Sequence, residues 1–307
     1  MLPGSPGRAG RVALAAWHAL GMHRIRPIIV LGAERSGTSA WAELIYRWGG
    51  YAGGGDELAE PDGLNPHGRW EYGPLWDLLA LVGDFAAGVS WWEESFQDRV
   101  KAKAQDRNLR AAAEAMVAQM ASHGRPWLWK DPALCHFLPF WRQIWRDPVY
   151  LIAVRHPLDV ARSWQQFARG NGREPTSVRC NLLRWQYMTS LALAETANGR
   201  ATLFVQYEQL AQQPEQQARR LASFLGTHCG ATADTTVIAR MAAACDPALW
   251  RNRSGYQHGT SHPTGEQADL YALLCAKAAD VSAPIRPVAM PAGWRRIVMD
   301  AEAAAHF

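Results

Sequence analysis

Between Leu31 and Ala40 the chain reads Gly32-Ala33-Glu34-Arg35-Ser36-Gly37-Thr38-Ser39. Two glycines at i and i+5 followed by hydroxyl residues have the spacing of a loop that cradles a phosphate or sulfate. Its backbone N–H groups and the N-terminus of the next helix point at the anion. Nucleotide hydrolases carry a lysine directly after the second glycine; Thr38 stands there instead, which argues against an ordinary ATPase or kinase. Arg35 can supply the missing charge, in a fork suited to oxyanions. The hydroxyls of Ser36, Thr38 and Ser39 add donors around Gly37. The same residues also read as a plain turn before a capped helix.

A second constellation is Arg155-His156-Pro157-Leu158-Asp159-Val160-Ala161-Arg162-Ser163. Arg155 closes an apolar run, and Ser163 follows two turns into a helix that opens at Pro157. At a rise of about 1.5 Å per residue the two groups can converge on one phosphate. Alone, this stretch reads as a helix start with a salt-bridged arginine.

The elements that must hold these groups are short apolar runs, each followed by a helical pattern. That alternation predicts an α/β fold: a P-loop-like three-layer sandwich with a central parallel sheet flanked by helices. Residues 27–32 form the first expected strand, and Trp41, Leu44, Ile45 and Trp48 recur at helical spacing until Gly49-Gly50 stop them. A second unit runs from strand 149–154 into the helix at Pro157. A third pairs 201–205 with a helix from about Pro214 to Leu225, ended by Gly226. Trp127–Trp129 reads as a fourth strand, and 106–122 as an alanine-rich helix. Residues 51–74, 90–99 and 251–265 read as loops. Most of the 15 tryptophans are expected in the core, although Trp70, Trp76, Trp91 and Trp92 could present flat faces to a ligand.

The phosphate loop and the Arg155/Ser163 pair together resemble the sulfotransferase family that uses 3′-phosphoadenosine 5′-phosphosulfate (PAPS), over residues 26–226. Arginine at position 35 is closer to the bacterial, carbohydrate and tyrosylprotein branches than to the phenol-type branch. The resemblance implies that Arg35, Ser36, Gly37, Thr38 and Ser39 bind the 5′-phosphosulfate, and Arg155 and Ser163 the 3′-phosphate. Tyr207, in Val205-Gln206-Tyr207-Glu208-Gln209-Leu210, inherits an adenine contact. Lys130, in a Lys130-Asp131-Pro132 stretch similar to that of tyrosylprotein sulfotransferases, is placed near the bridging oxygen of the donor. Arg35 and Lys130 would then stabilise charge, and Glu57, Glu71 and His67, in that order, are the candidate bases. Glu34 would repel an anion and is expected to pair with a cation. The late Gly-x-x-Gly-x-x-Lys motif of the animal enzymes is absent, and Arg251 and Arg253 are the basic residues of the corresponding loop.

The resemblance thus implies in-line transfer of a sulfuryl group to a hydroxyl or amine of a small-molecule or carbohydrate acceptor, without a metal. A degenerate P-loop kinase and a non-enzymatic adenine-nucleotide binder are the competing readings. With 307 residues, 48% of them hydrophobic, and a net charge of +4, the chain can bury a full core, and neither nucleic acid nor a particular oligomeric state is implied. Five scattered cysteines suggest neither zinc nor a disulfide framework. The apolar stretch 12–20 is too short to span a bilayer. A cytoplasmic protein is expected, with residues 1–24 a flexible lead-in and 25–307 a single domain.

Overall fold

The computed structural model describes residues 25–61, 66–196, 200–252, 263–285 and 288–305. The lead-in over 1–24 therefore lies outside the described residues. The sheet holds β1 (Pro27–Leu31), β2 (Trp127–Lys130), β3 (Val149–Val154) and β4 (Thr202–Gln206) in the order β2-β1-β3-β4. All three pairings are parallel.

Every residue of β1, β2 and β3 is buried, as expected of strands covered on both faces. Successive side chains alternate between two cores. Ile29, Leu31, Trp129, Tyr150, Ile152 and Phe204 face one. That core is closed by α2 (Gly73–Val82), α3 (Phe96–Lys103), α4 (Arg107–Ala121), α5 (Leu134–Trp141), α7 (Val178–Thr196), α11 (Gly265–Ala279) and α12 (Trp294–Ala305). Ile28, Val30, Leu128, Leu151, Ala153 and Val205 face the other. There they meet α1 (Thr38–Trp48), α9 (Pro214–Cys229) and α10 (Thr235–Ala243). Each fully buried aliphatic side chain contributes about 1.5–3 kcal/mol. Most of the tryptophans are core: Trp127, Trp129, Trp141 and Trp145 form one run of ring contacts with centroids 4.8–5.2 Å apart between neighbours.

The chain leaves β1 toward β2 at one edge and leaves β3, through α6 (Pro157–Gly170), toward β4 at the other. The strand order therefore reverses between β1 and β3. A crevice opens beyond the carboxyl ends of strands at such a point, which is the general ligand site of open parallel sheets.

Three expectations need correction. Gly226 does not end its helix: α9 continues to Cys229 and stops at Gly230, whose φ of 76° supplies the left-handed cap that Gly226 does not. The stretch 90–99 is not all loop, because α3 begins at Phe96. Between β4 and α9 the chain makes a further short helix, α8 (Tyr207–Gln212). Residues 253–262 of the expected late loop, Arg253 among them, lie outside the described residues.

Candidate active site

The loop after β1 keeps its shape through backbone conformations few residues adopt. Arg35 and Gly37 both have positive φ, 66° and 83°; for a non-glycine residue this stores strain, a common mark of a functional position. Gly37 is also required sterically, since a Cβ there would lie 2.3 Å from the Tyr207 ring. The Ser36 N–H turns back to the Ala33 carbonyl at 3.1 Å. Its hydroxyl is buried without a hydrogen-bond partner. Of the three loop hydroxyls, Thr38 and Ser39 line the cavity and Ser36 does not.

Arg155, at the end of β3, lies beneath this loop. It donates to the Arg35 carbonyl at 3.0 Å and to the Asn252 carbonyl at 3.3 Å. Its guanidinium sits 4.6 Å from the centre of the Tyr207 ring, and its buried Nε has no partner. Ser163, on α6, accepts from Arg35 Nε at 3.1 Å. Tyr207 opens α8, so its ring packs between loop and arginine.

Lys130 ends β2 and is 3% exposed. It is no surface lysine: its ammonium donates to Glu71 Oε1 at 2.6 Å. The adjoining Asp131 is buried, and its carboxyl is pushed up to about 7, mainly by desolvation and then by Glu71. Glu34 forms no ion pair among the described residues, contrary to expectation. It keeps a slice of its surface on the cavity, yet protein encloses it, and desolvation raises its carboxyl to about 7 against the opposing pull of Arg184.

One segment delivers several groups at once. The turn is closed at its base by a bridge between Leu58 and Tyr72 and by Ala59 N–H donating to the Glu71 carbonyl at 2.9 Å. Residues 67, 69 and 71 then alternate toward three separate elements. His67 Nδ1 lies 3.0 Å from Glu43 Oε2 on α1, Arg69 lies over Phe167 on α6, and Glu71 meets Lys130 on β2. Trp70, between them, packs its ring 4.6 Å from that of Tyr46.

All of these site side chains except Ser36, Trp70 and Glu57 line a single cavity of about 750 Å³, within the usual range for a small-molecule site. Glu57, the first expected base, does not reach it. Its turn, Gly55–Glu57, folds the carboxylate onto its own N-cap: Oε2 accepts from the Gly54 N–H at 2.8 Å and Oε1 from the Tyr72 hydroxyl at 3.3 Å. Glu71 and His67 do reach the cavity, as do Trp76 and Trp91; Trp92 is core. Sequence reasoning missed Phe167 and Trp164, although Phe167 lies one turn beyond Ser163 and shares its helix face. Among the described residues no group of three or more His, Cys, Asp or Glu side chains could hold a metal ion, and no helix is long and apolar enough to cross a membrane. All five cysteines are free thiols.

The cavity of this parallel-sheet α/β protein is thus faced by an arginine-bearing loop after β1 and by two further cations at the ends of β2 and β3. A model of the sulfotransferase family matches residues 27–229, which takes in all four strands. The chain belongs to that family and is a sulfotransferase. No curated protein matches it in sequence. Among solved structures it is similar to the sulfotransferase domain from the curacin biosynthetic pathway, at 15% identity and a TM-score of 0.48, covering 81% of this chain and 96% of that one. It is also similar to the sulfotransferase domain of the Synechococcus PCC 7002 olefin synthase, at 18% identity and a TM-score of 0.40, covering 90% of this chain and 94% of that one.

Proposed function

We propose that the protein transfers the sulfuryl group of PAPS to a hydroxyl or amine of a small-molecule or carbohydrate acceptor. The observation that carries the reading is the convergence of Arg35, Lys130 and Arg155, from the ends of three neighbouring strands, on one cavity. The donor fits what the residues leave open. The buried Arg155 Nε has no partner among the described residues, and an unsatisfied cationic donor of this kind is costly unless an anion takes it up.

PAPS supplies an activated sulfuryl group and a phosphate leaving group; the protein's own residues do the rest. Arg155 holds the 3′-phosphate, Thr38, Ser39, the loop amides and Arg35 hold the phosphosulfate, and Ser163 steadies Arg35. Glu71 takes the proton of the acceptor as its oxygen or nitrogen bonds to sulfur. Lys130 stabilises the negative charge left on the phosphate oxygen as the sulfur–oxygen bond breaks. The 2.6 Å pairing of Lys130 with Glu71 sets the base beside the cation that meets the leaving group. Trp76 and Trp91 offer the acceptor an apolar wall. The same reading takes residues 25–307 as one domain, because α11 and α12, beyond the matched segment, pack on α7 and on the sheet.

The test is calorimetric titration of 3′-phosphoadenosine 5′-phosphate (PAP), the product, into wild type and Arg155→Ala, with ATP plus magnesium as control. We expect magnesium-independent binding that Arg155→Ala weakens by about 1.5–3 kcal/mol, in a variant whose melting shows it folded. No PAP binding, or a preference for magnesium-ATP, would overturn the donor assignment.

A further inference from the structure

We propose that Arg69 is a second sulfuryl-binding guanidinium, paired with Arg35 across the ring of Phe167, and that Phe167 is the residue that positions both. The inference rests on the PAPS reading above and adds to it a residue that the family resemblance does not supply.

Ser163 and Phe167 are four residues apart on α6, so both lie on one face of that helix. Ser163 Oγ accepts from Arg35 Nε at 3.1 Å, and the Phe167 ring centre lies 5.4 Å from the Arg35 guanidinium carbon. One helical turn therefore holds Arg35 twice, by a hydrogen bond to its Nε and by the ring beneath its guanidinium. The same ring has a second cation 6.0 Å from its centre, Arg69. Aromatic faces attract cations through their quadrupole, and guanidinium is the cation best shaped to stack on them.

The chain approaching that ring is held on both sides. His67 is joined to Glu43 and Glu71 to Lys130, so Arg69 is the middle of three alternating residues whose neighbours are tied to α1 and β2. The backbone that carries it past Phe167 is therefore anchored on both sides. Arg35, Arg69 and Phe167 all line the cavity. The location within the cavity selects the ligand group. Glu71, two residues beyond Arg69, is paired with Lys130, where on that reading proton and leaving group are handled, whereas Arg155, Tyr207 and Asn252 gather at the nucleotide end. In-line transfer spreads charge over three equatorial oxygens of the migrating group, and two guanidinium forks presented by one ring can hold more of them than Arg35 alone.

The decisive comparison is between PAPS, which carries the sulfuryl group, and PAP, which lacks it; titration of both without acceptor needs no knowledge of the acceptor. Arg69→Ala should weaken PAPS about tenfold or more, as for a lost charge-assisted hydrogen bond, while changing PAP less than about threefold. Phe167→Leu should weaken PAPS in the same selective way, and Phe167→Tyr, which keeps the ring face, should retain it. Equal losses for PAP and PAPS in Arg69→Ala would place the residue on the nucleotide and overturn the inference, as would unchanged PAPS affinity. If Phe167→Leu binds PAPS as wild type does, the positioning role is wrong. Failure of wild type to bind PAP would instead remove the PAPS reading itself, a result these variants cannot mimic.

Discussion

The Arg35 guanidinium donates to the Ser163 hydroxyl at 3.1 Å across 128 residues of sequence. The serine that spacing alone would put on a phosphate is thus engaged with the arginine of the loop. Ser163→Ala should weaken PAP binding by only about 0.5–1.5 kcal/mol, the net worth of one hydrogen bond. Arg155→Ala should cost more. Titration of PAP into both variants gives the order; the reverse order would return Ser163 to a principal role as phosphate ligand.

Gly37 is squeezed between its own φ of 83° and the Tyr207 ring. Gly37→Ala is expected to lower stability by about 1–3 kcal/mol from strain and overlap together and to abolish PAP binding. Adding Tyr207→Ala removes the overlap and should recover part of the melting temperature but not the binding, which thermal melts and titration read separately.

Glu57 and Glu71 separate the two candidate bases. Glu71→Gln should slow PAPS consumption over an acceptor panel by about 10²–10⁴-fold, the usual contribution of a general base. Glu57→Gln should keep turnover near wild type and lose about 1 kcal/mol of stability, because it caps a turn and accepts from Tyr72. A slow Glu57→Gln enzyme with an active Glu71→Gln partner would reverse the assignment.

Burial lifts the Glu34 carboxyl from 4.5 to about 7. The folded protein therefore keeps a proton between those values that the unfolded chain releases. Stability tied to Glu34 is complete below the lower value and falls as pH rises through the upper one. His136, pushed down to about 3 by burial, works in the opposite direction as pH rises toward 6.5. The readout is accordingly the difference between variants: Glu34→Gln should gain melting temperature over wild type as pH goes from about 5 to about 8. A difference that does not change with pH would mean that Glu34 is already ionised at the lower end.

Trp76 is 43% exposed on the cavity wall, beside Trp91 at a ring-centre distance of 6.4 Å. Trp76→Ala should raise the acceptor KM severalfold while leaving PAP affinity and melting temperature nearly unchanged, since little packing is lost. A matching loss of PAP affinity would place this wall at the donor instead.

The strand-loop-helix units, Arg35, Arg155 and the buried strands could all be read from sequence, because they depend on local periodicity and on glycine spacing. The fate of Glu57 could not, since a carboxylate that caps its own turn and one that faces a cavity look alike in a loop. Lys130 could be picked out by its motif, but its burial comes from packing around β2. The partnership of Arg69 with Phe167 joins a loop to a helix nearly a hundred residues away, and only the folded chain brings them together. The burial of the Ser36 hydroxyl was equally out of reach, because a motif gives the place of a side chain in the loop and not the direction in which it turns.

The alternation of His67, Arg69 and Glu71 has a consequence for how such a protein can change. Gly68 and Trp70, which separate them, both have positive φ, 91° and 60°, so inserting or deleting one residue between positions 67 and 71 would move those bends onto residues that rarely adopt them and break at least one of the three attachments. Change at this point is then expected to proceed by replacement at fixed length rather than by insertion or deletion.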